Sequence, residues 1–208
     1  LDLGASYHQL TKRERGFSFS KDAPLDMRFN MDADFSAYDV VNKYSENDLV
    51  KIFSEYGEER FSKRIAKAIV EKRRIEPIRT TKELADLIVK ATPHINSRIH
   101  PATRVFQAIR IEVNNELKNV NMVLHDILDL LDNGAIVSVI SFHSLEDRIV
   151  KQIFKFESQK CRCNEMICKC EPPKIELVNR KPIMASEKEI LENPPSRSAK
   201  LRVVRAIR

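Results

Sequence analysis

At 208 residues the chain is long enough for one sizeable domain, or for one domain carrying an insert. Apolar residues make up 42%, enough for a real core, and Lys plus Arg exceed Asp plus Glu by 36 to 30, a +6 balance that permits an anionic partner such as RNA without requiring one. No apolar run reaches the length of a membrane span and no signal-peptide pattern opens the chain, so a membrane protein is excluded and a cytoplasmic one expected.

The first residues, Leu1-Asp2-Leu3-Gly4-Ala5-Ser6, have the form of a strand end followed by a loop. An acidic residue at the carboxyl end of a parallel strand faces the crevice where α/β folds bind ligands. A turn-forming Asp accounts for the same letters. Residues 9–34 mix charge, Gly, Pro and aromatics without a period and read as a long ordered loop.

A helical block follows. Ser45 with Asp48 resembles a capping box, and Leu49, Ile52, Phe53 and Tyr56 form one apolar face. Phe61, Ile65, Ala68 and Ile69 mark a second helix, whose opposite face carries Lys63, Arg64, Lys67, Lys72, Arg73 and Arg74. Thr80 with Glu83 caps a third, with Leu84, Leu87, Ile88 and Ala91 inward and Pro93 just beyond its end. An apolar stripe from Phe106 through Ile109, Val113, Leu117, Val120, Leu124 and Ile127 predicts one long helix over residues 101–131, ended by Asn133-Gly134. The β-branched run over 135–140 reads as a buried strand of a parallel sheet, and residues 201–207 as a last strand.

Three stretches have the residue types for chemistry or binding. Ser141-Phe142-His143-Ser144-Leu145-Glu146-Asp147-Arg148 clusters polar groups just past a buried strand, where unpartnered burial costs about 1–3 kcal/mol each. Capping of the next helix explains part of the cluster, and the two readings are compatible. Cys161, Cys163, Cys168 and Cys170 offer four thiolates for a structural zinc ion, although Cys-x-Cys pairs chelate one ion under strain; reduced thiols and a disulfide stay open. Asn193-Pro194-Pro195 followed by Arg197, Lys200 and Arg202 is a rigid turn with alternating cations, suited to phosphate contacts or to a solvated strand.

In this order the segments resemble the ribosomal RNA small-subunit methyltransferase H family, the bacterial enzymes that methylate N4 of a decoding-region cytidine. The resemblance rests on Asp2-Leu3-Gly4-Ala5-Ser6-Tyr7-His8-Gln9-Leu10, Arg15-Gly16-Phe17-Ser18-Phe19, Asp22-Ala23-Pro24-Leu25-Asp26-Met27-Arg28 and Tyr56-Gly57-Glu58-Glu59. Further along it rests on His100-Pro101-Ala102-Thr103-Arg104-Val105-Phe106-Gln107-Ala108-Ile109-Arg110, the 140–148 stretch, and Arg197-Ser198-Ala199-Lys200-Leu201-Arg202. It covers nearly the whole chain. Tyr7-His8 stands where the family has Ser-Pro, Ala23 and Asn133 where it has Gly.

The resemblance implies an α/β fold: a Rossmann-like methyltransferase domain, its N-terminal strands missing from this sequence, with an inserted all-helical domain. Residues 1–34 would close the first half of the methyltransferase domain, 35–97 form the insert, and 98–208 the second half. It implies S-adenosylmethionine as cofactor, contacted by Asp2 and Gln9, and rRNA or the assembling small ribosomal subunit as partner. Asp2 and His143 are the catalytic candidates, and Ser141, Asp147, Arg197 and Lys200 the candidates to meet RNA. The family's glycine-rich cofactor loop precedes Asp2, so weak cofactor binding is expected of this sequence alone. No metal ligand is assigned, and a homodimer is one option for the assembly. A non-catalytic RNA-binding module built on the four cysteines is the alternative function.

Overall fold

A computed structural model describes residues 1–6, 15–93, 99–161 and 171–207. They form two compact units, Ala5–Asn115 and Leu1–Gly4 with Glu116–Arg208. These boundaries differ from the expected breaks after residues 34 and 97, because the loop and the helix that flank the insert share its core.

The first unit holds α1 (Ala37–Lys43), α2 (Glu46–Glu55), α3 (Ser62–Ile75), α4 (Thr81–Ala91) and α5 (Ala102–Asn114). The caps expected from sequence start two of them. Ser45 Oγ accepts the Asp48 amide at 3.2 Å. Thr80 and Glu83 exchange bonds, at 3.2 Å to Thr80 Oγ1 and 3.3 Å to Glu83 Oε2. Helix α1 is an addition to the expected three. Leu49, Phe53, Ile65, Ile69, Leu84, Ile88, Val105 and Ile109 meet in one core, joined by Phe17, Leu25 and Met27 from the loop. Each such side chain contributes roughly 1.5–3 kcal/mol when fully buried.

The loop over 15–34 is held by main-chain bonds. Leu25 N–H donates to the Arg79 carbonyl at 3.1 Å, and Tyr38 N–H to the Leu25 carbonyl at 2.8 Å. Asn114 closes it from α5, with Nδ2 on the Met27 carbonyl at 2.8 Å and Oδ1 accepting the Phe29 amide at 2.7 Å. Gly16 has φ +65°, and a Cβ there would stand 2.2 Å from the Pro24 carbonyl oxygen, so only glycine fits.

The second unit contains α6 (Glu116–Leu130), β1 (Ile136–Ser141), α7 (Ser144–Glu157), β2 (Ile175–Leu177), β3 (Ile183–Met184), α8 (Glu187–Glu192), a 3₁₀ turn over Pro194–Ser198 and β4 (Lys200–Ala206). The single helix expected over 101–131 is two helices. Asn115, at φ 51° in the left-handed region, ends α5 and lets α6 start afresh. The apolar spacing runs through the break, which is why periodicity alone joins them.

Strand β4 pairs antiparallel with β1, β2 and β3, the β1 register running from Ile136↔Arg205 to Ser141↔Lys200. The parallel component lies at the other edge of β1, where Asp2 bridges Ile140. Thus β1 sits in a mixed sheet, where a parallel one was expected. Its side chains also alternate, with Val137 and Val139 buried and Ile136 exposed. Val120, Leu124 and Leu128 from α6, Val150, Ile153 and Phe154 from α7, and Val204 from β4 complete the core.

Candidate active site at the strand ends

Strand β1 delivers Ser141 to the entrance of α7, and the Leu1–Leu3 segment ends alongside it. The pairing is made by backbone groups: Leu3 N–H donates to the Ile140 carbonyl at 3.0 Å, Ile140 N–H to the Leu1 carbonyl at 2.9 Å. Asp2 is therefore fixed by its main chain, while the residue itself is exposed. Gly4 turns the chain away at φ +82°, and a Cβ on it would meet Glu146 Oε1 at 3.4 Å. Two sequence segments about 140 positions apart thus converge where parallel strand ends present ligand groups.

His143 is the N-cap of α7. Its Nδ1 accepts the Glu146 amide at 3.4 Å. Glu146, wholly buried, turns its carboxylate back: Oε2 accepts Phe142 N–H at 2.9 Å and His143 N–H at 3.3 Å. Glu146 Oε1 stands 3.1 Å from His143 Nε2. Glu116, buried at the start of α6, brings a carboxylate oxygen to the same place; the ligand atoms of Glu116, His143 and Glu146 lie within 4.8 Å of one another. The trio has metal-binding residue types, and although His143 Nε2 and Glu146 Oε1 face each other, they lack hydrogen-bond geometry and both are buried without a hydrogen-bond partner. Both nitrogens of His143 are directed into the helix entrance.

The remaining candidates divide. Ser141 is buried at 2% exposure, within the β1–β4 pairing. Asp147 receives Arg202 Nε at 2.7 Å and Arg202 Nη2 at 3.2 Å, with Lys200 Nζ at 3.4 Å. Burial works against the Asp147 charge, yet the Arg202 guanidinium and the Lys200 ammonium hold its carboxyl below the usual range. Lys200 and Asp147 thus form one ion-pair network with Arg202, whereas Arg197 is exposed. Gln9 lies outside the described residues, as do Cys163, Cys168 and Cys170; Cys161 is exposed.

Glu116 was not singled out in the sequence, and Arg202, read there as a cation for phosphate contacts, is instead paired with Asp147. Glu146 was visible only as the third residue after an N-cap, the spacing of a capping box. Glu116 carries no local signal, since it reaches His143 only through the fold.

The chain matches the MraW methylase family over residues 1–207. The chain belongs to that family. It is 52% identical to a protein of Clostridioides difficile named ribosomal RNA small subunit methyltransferase H, over 99% of this chain and 68% of that relative. It is 54% identical to a protein of that name from a Geobacter species, over 100% of this chain and 68% of the relative. A Ruminiclostridium cellulolyticum protein of the same name is 51% identical over the same shares. As an MraW-type methylase the chain has a mixed α/β, Rossmann-like fold, and the matched span includes both converging segments.

Proposed function

We propose that the protein transfers a methyl group from S-adenosylmethionine to the exocyclic N4 amine of a cytidine in the decoding region of small-subunit rRNA. The observation that carries this reading is the exposed carboxylate of Asp2, held by main-chain pairing beside the carboxyl end of β1. The names borne by relatives more than half identical to the chain point to rRNA as substrate.

The residues present fit one side of such a cofactor site. Asp2 offers an acceptor-only carboxylate, and Gly4 turns the chain just beyond it at φ +82°. Asp2 would hold the cofactor, together with Gln9. S-adenosylmethionine supplies an activated methyl group when bound.

The amine of cytosine is a poor nucleophile because its lone pair is delocalised into the ring. Asp2 accepts a hydrogen bond from one amine N–H, which favours pyramidal nitrogen with its lone pair free and aligned. No strong base is needed beforehand. Once nitrogen has made its new bond to carbon its N–H is acidic, and the proton leaves to Asp2 or to water. The cytidine must be unpaired or turned out of its stack to reach this position. Exposed Lys63, Arg64 and Lys67 on α3, and Arg197 before β4, supply phosphate contacts that position RNA without reading it.

The test is labelled methyl transfer by the full-length protein to isolated small subunits and to naked rRNA, followed by nucleoside analysis. Label in N4-methylcytidine supports the reading; label in another nucleoside, or none, overturns it.

A further inference from the structure

Phe19 and His100 lie in the Ala5–Asn115 unit, and no step of the proposed transfer uses either. Their rings are stacked, with centroids 4.6 Å apart and planes 28° from parallel. Phe106, only 4% exposed, meets Phe19 edge-on at 5.0 Å and anchors it to the core. Phe19 is half-buried, whereas His100 is exposed. One face of the imidazole is covered by Phe19, so the exposure falls on the other face.

The ring is also fixed in orientation. His100 Nδ1 accepts the Ala102 amide at 3.2 Å, and the His100 carbonyl accepts Thr103 N–H at 3.0 Å, both at the entrance of α5. A flat ring ordered in advance binds a flat partner without the ordering cost of a free side chain. A nucleobase is such a partner, since every base has a π-face that stacks on an aromatic ring. A base inside a duplex has both faces covered by its neighbours, so the ring takes an unpaired one.

The charge nearby suits the backbone of that partner. Arg104, exposed in the first turn of α5, places Nη1 on the Glu58 carbonyl at 3.1 Å, so in this contact its charge meets a neutral acceptor. Gly57 allows the approach, because a Cβ there would stand 2.7 Å from the Arg104 carbonyl oxygen. Gln107 Nε2 ties the same turn down through the Tyr56 carbonyl at 3.1 Å. Arg60, exposed, follows on that turn. Two guanidinium groups are thus carried on backbone fastened to the helix start that holds His100, and such groups contact phosphates without reading sequence.

We propose that the outer face of His100, backed by Phe19, is a stacking platform for an unpaired base of the RNA substrate, with Arg104 on the adjoining phosphate. This role rests on RNA being the substrate, as proposed above.

The full-length protein is titrated with single-stranded oligonucleotides of small-subunit rRNA carrying 2-aminopurine at each unpaired position in turn, a base whose fluorescence is quenched when it stacks. His100→Asn and His100→Ser each keep an acceptor for the Ala102 amide and remove the ring, while His100→Phe keeps a flat face and removes the nitrogen. Wild type and His100→Phe should quench the probe alike. In His100→Asn and His100→Ser the quenching should be lost and Kd should rise at least about fivefold, the low end for one stacked base. Arg104→Ala should instead lower the salt dependence of binding by about one unit of slope. No quenching by the wild type at saturating RNA overturns the platform, as do Asn and Ser variants that bind like the wild type or a His100→Phe protein as weak as His100→Asn. Thermal unfolding checks the fold of each variant; should one acceptor variant not fold, the other decides, and should neither fold, the wild-type and His100→Phe titrations decide. Methyl transfer by the unsubstituted protein is measured alongside. No transfer to rRNA counts against the proposed function, whereas transfer with binding indifferent to His100 removes only the platform.

Discussion

Asp2 and Ile140 are parallel neighbours, joined by main-chain bonds of 3.0 and 2.9 Å on either side of the Asp2 residue. Nothing in that pairing uses the Asp2 carboxylate. Asp2→Asn should therefore fold as the wild type does, with a melting temperature within a few degrees. Thermal unfolding checks this, and a large drop would mean that the carboxylate is part of the framework.

Asp147 and Arg202 form the most buried ion pair along β4, Arg202 being 8% exposed. Removing the acid strands the guanidinium, so Asp147→Ala should cost about 2–3 kcal/mol at neutral pH. The folded Asp147 carboxyl is held below its ordinary 3.8, so its stabilisation is complete above that value. It fades as pH falls through 3.8 and is gone below the folded value. Urea unfolding at pH 7 and pH 3 should show the wild type and the variant converging in acid.

Asn115 stands alone between α5 and α6 in the left-handed region, φ 51°. Asn115→Gly should be neutral or slightly stabilising, while Asn115→Ala should lose about 1 kcal/mol from the cost of that conformation to a Cβ. Denaturant midpoints distinguish the pair. A harmless Ala would show that the helix break is not held there.

Arg197 and Lys200 are both cations of the basic tail, but only Lys200 is engaged by Asp147. Arg197→Ala should leave stability alone, weaken RNA binding and reduce the salt dependence of binding by about one unit of slope. Lys200→Ala should do less to the salt slope. Binding to an rRNA fragment at several salt concentrations measures both.

Much of this fold was legible because local chemistry and tertiary structure agree. Ser45–Asp48 and Thr80–Glu83 cap helices where their spacing says they should, and residues 201–207 form most of β4. The failures have physical causes. The stripe from Phe106 to Ile127 continues through Asn115 because the residues on both sides keep apolar spacing, so only the backbone angle reveals two helices. The short strands β2 and β3 exist through pairing with β4, not through a pattern of their own. In the site, Asp2 and the 141–148 stretch were recognisable as segments. Their meeting at Ile140 was not, nor was the arrival of Glu116 from the start of another helix. The basic tail reads as uniformly available charge, yet Arg202 is spent on Asp147 inside the fold.

In the proposed methyl transfer, the Asp2 carboxylate accepts a hydrogen bond from the cytidine amine. The most direct measurement is single-turnover methylation of small-subunit rRNA by full-length wild-type protein and by Asp2→Asn, with folding and cofactor binding followed in parallel. The variant should fold and lose transfer by about a hundredfold or more, on the order of 3 kcal/mol of barrier. Transfer by Asp2→Asn at the wild-type rate would contradict that role of the carboxylate.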